Sequence, residues 1–154
     1  MAIDVVFAFV GTPRGDPDTM LVCLREKTSR RGVIFTIGDT DAEAILSVAP
    51  GVVRHGYEVH EIWAAAMTTM GVTLEQVILT GLNEEQAVQG ELHFRLGDRA
   101  WSVPCHRPPI GIALALAMNA PIRIANELFA AMQPTDIPER FLGASSPKDA
   151  TSTD

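Results

Sequence analysis

Arg107-Pro108-Pro109-Ile110-Gly111-Ile112-Ala113-Leu114-Ala115-Leu116, followed by Asn119-Ala120-Pro121-Ile122, is the stretch that organises the rest of this chain. Two prolines suit the first turn of a helix, where a missing backbone N–H costs nothing. The Ala/Leu run then carries the helix until Pro121 stops it, and 122–125 read as a short extended piece. Asn126 stands where a cap for a last helix through Met132 is expected.

Upstream of the prolines, Leu92, Phe94 and Leu96 alternate with His93 and Arg95. That period of two predicts a half-buried strand over 87–96. Gly97-Asp98 is a two-residue hairpin turn, and 100–105 return as the partner strand. Further strands are expected over 3–10, 19–26, 33–37 and 74–82, separated by Gly/Pro/Asp turns. A helix opens at Asp39 or Thr40, either of which is expected to cap it, and stops at Pro50-Gly51. Over 58–70, Val59, Ile62, Trp63, Ala66, Met67 and Met70 recur at helical spacing, a stripe expected to pack in the core, with Gly71 as its C-cap. About seven strands and four helices make a single α+β domain with a mixed or antiparallel sheet. It spans 1–133, followed by a Pro/Ser/Thr/Asp-rich tail over 134–154 that is expected to be flexible and to dock, if at all, through Phe141.

With 154 residues, 47% of them hydrophobic, the chain can bury one sizeable core. The apolar runs over 110–118 and 5–10 are too short to span a bilayer, and a cytoplasmic location is expected. Cys23 and Cys105 form neither a disulfide framework nor a zinc motif. Cys105 precedes His106, but strand neighbours point to opposite faces, so they do not make a nucleophile and base. A formal charge of −7 disfavours nucleic acid as a partner. The one dense basic run, Arg25, Lys27, Arg30 and Arg31, is read as a solvated hairpin turn.

Several motifs in order resemble the bifunctional nuclease (DNase/RNase) domain family over roughly 20–130. They are Leu24-Arg25-Glu26-Lys27, the run from Ile37-Gly38-Asp39 to Ala44-Ile45, His60-Glu61, Met70-Gly71-Val72 with Val77-Ile78-Leu79, and Arg107 to Ile124. The resemblance implies metal-dependent hydrolysis of DNA or RNA with Mg²⁺ or Mn²⁺. It also implies a homodimer or larger homo-oligomer. Catalytic candidates carried over from it are Glu43, His60, Glu61 and Arg107, and the metal ligands remain unassigned. Departures gather at polar positions. Cys105 and Ile110 stand where the family pattern has Asp, Pro109 replaces Ser, and the Arg-Pro expected before the His-acid pair is absent. Each lost carboxylate removes a hard-cation ligand and a candidate base.

Three readings of function follow. One is a diverged nuclease. The second is the same scaffold reused for a small apolar molecule, as an isomerase or cyclase needing no cofactor, with Trp63, His106, Arg107 and Ile110 as binding residues. The third is a non-catalytic dimeric binding protein. Arg107 precedes a helix N-terminus and can grip a phosphate or carboxylate, or can pair with Asp39, Asp41 or Glu43. Asp39 and Asp41 suit helix-end electrostatics, Glu61 suits exposed helix polarity, and His55 and His93 read as surface residues. A cavity bordered by Trp63, Arg107 and Ile110 separates the pocket reading from solid packing.

Overall fold

A computed structural model describes residues 1–13, 16, 18–49 and 59–138. Three strands, β1 (Ala2–Gly11), β2 (Met20–Glu26) and β3 (Arg31–Ile37), form an antiparallel meander. Two helices follow, α1 (Asp39–Val48) and α2 (Val59–Thr69). A second meander, β4 (Thr73–Leu82), β5 (Val88–Leu96) and β6 (Arg99–Cys105), leads into α3 (Pro108–Met118). Then come β7 (Ile122–Ala125), α4 (Asn126–Ala131) and β8 (Thr135–Asp136).

β7 joins the two meanders. It pairs antiparallel with β1 and parallel with β4, giving one eight-stranded mixed sheet in the order β6-β5-β4-β7-β1-β2-β3-β8. The fold is α+β, with four helices among the described residues. Alternation sorts the strands into two faces. Gly90, Leu92 and Phe94 of β5 and Val22 and Leu24 of β2 are buried on the helix side. On the other side the polar residues pair across strands, Arg123 with Asp4 and Arg95 with Glu75, both at 3.0 Å.

The Pro-led stretch is the central helix. From Pro108 to Ala115 every residue of α3 except Ile110 is buried, and the helix packs on α1, α2, β4 and β5. Gly111 lets it approach the sheet, since an added Cβ would lie 3.1 Å from Val77 Cγ1 and 3.2 Å from Cys105 Sγ. Gly71 caps α2 at φ +82, with Val72 N–H donating to Met67 O and Gly71 N–H to Thr68 O, the Schellman pattern. Gly97 at φ +62 makes the β5–β6 turn.

Several expectations need correction. The helix caps fall one residue early: α1 has Gly38 and α4 has Ala125 at the N-cap, neither with a side-chain cap bond, so Asp39 and Asn126 are already helical. Arg25 is not part of a solvated turn. It is 4% exposed, and its Nη1 donates to Glu26 O and Ser29 O, holding the hairpin from beneath. The stripe on α2 turns outward. Val59, Ile62, Trp63, Ala66 and Met70 are exposed, while His60, Ala64 and Met67 face the core. The sheet also continues past Pro134: Thr135 and Asp136 pair with β3, and Ile137 is buried over Ala8 and Cys23. His55, the Pro50-Gly51 stop and Phe141 lie outside the described residues. No helix among the described residues is long and apolar enough to cross a membrane.

Candidate functional site

The end of β6 and the first turn of α3 place Cys105, His106 and Arg107 between two hollows. The first, about 490 Å³, runs between α2, β6 and α3. Its walls are apolar, with Val59, Trp63, Leu92, Pro104, Ile110 and Leu114, and its polar groups are His60, Cys105, His106 and Arg107. The second, about 620 Å³, opens on the far side of Arg107 against the end of β3 and the start of α1. Thr36, Asp41, Gln86 and Pro108 line it, and it shares His106 and Arg107 with the first hollow.

Both volumes fall in the range of small-molecule sites. The apolar hollow has the features of a binding groove: aromatic and aliphatic walls with a few polar groups among them. Trp63 reaches it edge-on to Phe94, with ring centres 6.3 Å apart, and Phe94 stacks on Trp101 at 5.9 Å. Of the residues expected to bind a small molecule, Trp63, His106, Arg107 and Ile110 all line this groove.

The four catalytic candidates do not all meet. His60 and Arg107 share the groove, but Glu43 and Glu61 line neither hollow. Glu43 is exposed on α1, and Glu61 lies half-buried on another side of α2. Arg107 has the helix-to-helix partner that its position allowed, because its Nη2 donates to Asp41 Oδ1 at 2.6 Å. The Asp41 side chain is only 15% exposed against 65% for Arg107, so the guanidinium reaches out of water toward a sheltered carboxylate.

Cys105 sits beneath the groove, its Sγ donating to Arg107 O at 3.3 Å. Burial pushes this thiol up from its ordinary range, which keeps it protonated and poorly nucleophilic at neutral pH. His106 is exposed at the bend that follows β6, so strand alternation does not reach it, and it lines the same groove as Cys105.

Two polar residues were not legible as site residues. Ser47 Oγ lies 2.9 Å from His60 Nε2, and Gln89 Oε1 lies 2.6 Å from His106 Nδ1. Both contacts cross between elements, over 13 and 17 residues of sequence, and no local motif signals them. His93, read as a surface residue, is half-buried on the opposite sheet face against Gln76.

A divalent-cation site fits poorly here. Among the described residues no three of His, Cys, Asp and Glu come together, and the carboxylate that does reach the site, Asp41, is bound to Arg107. Hard cations need several oxygen ligands, and Cys105 and Ile110 supply none where the resembled motif has Asp.

Comparison with known families agrees with the motif order. The model of the bifunctional nuclease domain matches residues 22–136, from within β2 to the end of β8, and takes in both hollows. Among curated proteins, none matches the chain. By the extent of that match, the chain belongs to the bifunctional nuclease domain family.

Proposed function

We propose that this family member binds a compact, largely apolar small molecule carrying one anionic group, in the groove between α2, β6 and α3. One observation carries the reading: Trp63, Leu92, Ile110 and Leu114 line the same hollow as Arg107, His60 and His106. Apolar walls supply affinity at roughly 25 cal/mol per Å² of surface buried, and a guanidinium at one end fixes orientation through a carboxylate or similar anion. The two imidazoles make acid–base chemistry on such a molecule available without a metal.

The fluorescent anion 1-anilinonaphthalene-8-sulfonate combines these features and serves as a probe. Saturable binding is expected, weakened at least tenfold by Arg107→Ala and by Trp63→Ala. Binding that ignores both changes would remove the groove as the site.

Family membership favours a second reading, metal-dependent cleavage of DNA or RNA. Its test is incubation of plasmid and RNA with Mg²⁺, Mn²⁺ or chelator, using wild type and Glu43→Ala. The pocket reading expects no metal-dependent cleavage. Cleavage that needs metal and disappears in Glu43→Ala would reinstate the nuclease and its cation.

A further inference from the structure

We infer that His60 is a general base for moving a proton on the bound molecule, and that Ser47 is the positioning residue that readies it; this rests on the groove being the ligand site. The geometry fixes where the ring proton lies. Ser47 Oγ is 2.8 Å from Ala44 O and 2.9 Å from His60 Nε2. The carbonyl can only accept, so the single hydroxyl proton belongs to that contact; otherwise two oxygen lone pairs would face each other. Toward His60 the Ser47 oxygen therefore accepts, and Nε2 carries the hydrogen. In a neutral imidazole the lone pair then lies on Nδ1. His60 is 8% exposed and lines the groove, and with Nε2 held by Ser47 the ring nitrogen left for a ligand is Nδ1.

His106 is held in the opposite tautomer. Gln89 Nε2 donates to Val88 O at 3.0 Å, which fixes its amide so that Oε1 faces His106 Nδ1 at 2.6 Å. Nδ1 must donate there, leaving Nε2 as the basic nitrogen. One groove thus has two imidazoles on its wall, each anchored through a different nitrogen, with Arg107 beside them.

The reaction class that uses this set is a proton shift next to a carbonyl, in a small apolar 2-oxo acid or related unsaturated acid. His60 Nδ1 takes a proton from the carbon beside the carbonyl. The C–H electron pair becomes a C–C π bond, and the carbonyl π pair moves onto oxygen as an enolate stabilised by the Arg107 guanidinium. His60 then returns that proton to oxygen or to another carbon of the conjugated system. The product is an isomer of the substrate, so no oxidant, reductant or co-reactant enters.

Two measurements test this. Long-range ¹⁵N–¹H spectra, with the ring assigned through His60→Gln, should show the Nε2–H tautomer in wild type and in Ser47→Thr, and mixed tautomers in Ser47→Ala. An Nδ1–H ring in wild type overturns the base assignment. Phenylpyruvate in D₂O is the second probe, its binding read by tryptophan fluorescence and its C3–H exchange by NMR. Wild type should accelerate exchange by about 10²-fold or more over buffer, the usual worth of a positioned base. His60→Gln should abolish the acceleration. Ser47→Ala should lower kcat about tenfold with KM unchanged, and Ser47→Thr should retain it. Phenylpyruvate that binds but exchanges no faster than in buffer overturns the proton-transfer role and leaves the groove as a binding site. Failure to bind at millimolar concentration removes the groove reading beneath it.

Discussion

Ile110→Asp puts back a carboxylate where the resembled family pattern carries one, and it separates groove from frame. Ile110 is half-buried in the first turn of α3 and forms part of the groove wall. Full burial of an isoleucine is worth about 1.5–3 kcal/mol, so losing a half-buried one costs about 1 kcal/mol. No acidic residue occupies the first turn of α3. A carboxylate there gains little from the helix end, because Pro108 and Pro109 carry no N–H and the Ile110 N–H already donates to Arg107 O. The net loss of stability is therefore about 1 kcal/mol, or a fall in Tm of about 2–4 °C for a domain of this size. Binding suffers more. A carboxylate about 6 Å from the sulfonate of the naphthalene probe, at an effective dielectric of about 20, repels it by about 3 kcal/mol before salt screening. Affinity should drop at least tenfold while the melting curve barely moves, and Ile110→Asn should lose only the apolar share, a few-fold. Fluorescence titration beside thermal denaturation by circular dichroism reads both. An aspartate variant that binds the probe like wild type, or that melts more than 10 °C early, refutes the reasoning.

Other consequences can be checked separately. Gly32→Ala would set a Cβ 2.8 Å from Leu24 O and 2.9 Å from Ile137 Cγ1, so backbone must move; about 1–3 kcal/mol of stability should be lost, while Gly81→Ala, with nothing within 4 Å, stays near wild type by denaturant titration. Burial holds the Cys23 thiol at about 12, against 9.0 ordinarily. Below pH 9 it is protonated in both states, and as pH climbs from 9 toward 12 the unfolded chain ionises first, so stability falls across that window. Iodoacetamide at pH 8 should leave native Cys23 unlabelled and modify it on unfolding, as quantified by mass spectrometry. The outward face of α2, with Trp101 and Val103 of β6, exposes on the order of 700 Å² of apolar surface, close to one partner's share of a standard interface. A dimer of this chain is expected by light scattering, and Ile62→Glu with Met70→Glu should yield monomer of unchanged circular dichroism. Asp41→Asn should release Arg107 and tighten anion binding a few-fold, whereas Arg107→Ala should weaken it; equal losses in both would make the pair purely structural.

The α2 stripe shows where reading a sequence stops. Strand alternation in β5 and the Pro-led start of α3 carry their meaning locally, because a period of two or a missing N–H acts on adjacent residues. α2 has apolar residues on both faces: Ala64 and Met67 on one, Val59, Ile62 and Trp63 on the other. Periodicity counts the larger side chains as the core face. The structure instead puts the small Ala64 against the fold, where α2 lies beside α3, and leaves the large ones outside. Which face is covered depends on partners distant in sequence, and so does the Ser47–His60 contact. His106, Arg107 and Ile110 were legible as neighbours because they stand together in the Pro-led motif, whereas Trp63 belonged to a stripe expected in the core. Their sharing of one hollow with Trp63 was not legible, because no spacing rule links position 63 to position 107.

Arg107 illustrates why a retained motif residue is weak testimony for retained chemistry. Its bond to Asp41 ties the first turn of α3 to the first turn of α1, the helix pair with the most extensive helix–helix packing in the fold. An exposed guanidinium on a sheltered carboxylate contributes modestly to stability, about 0–1 kcal/mol, yet it fixes where the side chain starts from. The same geometry sets Arg107 where it lines both hollows, so the framework and the proposed ligand recognition would use one side chain. Selection for packing alone would keep the arginine, and so would selection for an anionic ligand. Ile110 and Pro109 are different, because neither can bind a cation or activate water. Ile110 puts an apolar side chain on the wall of the hollow that His60 also lines, which favours a ligand presenting carbon there.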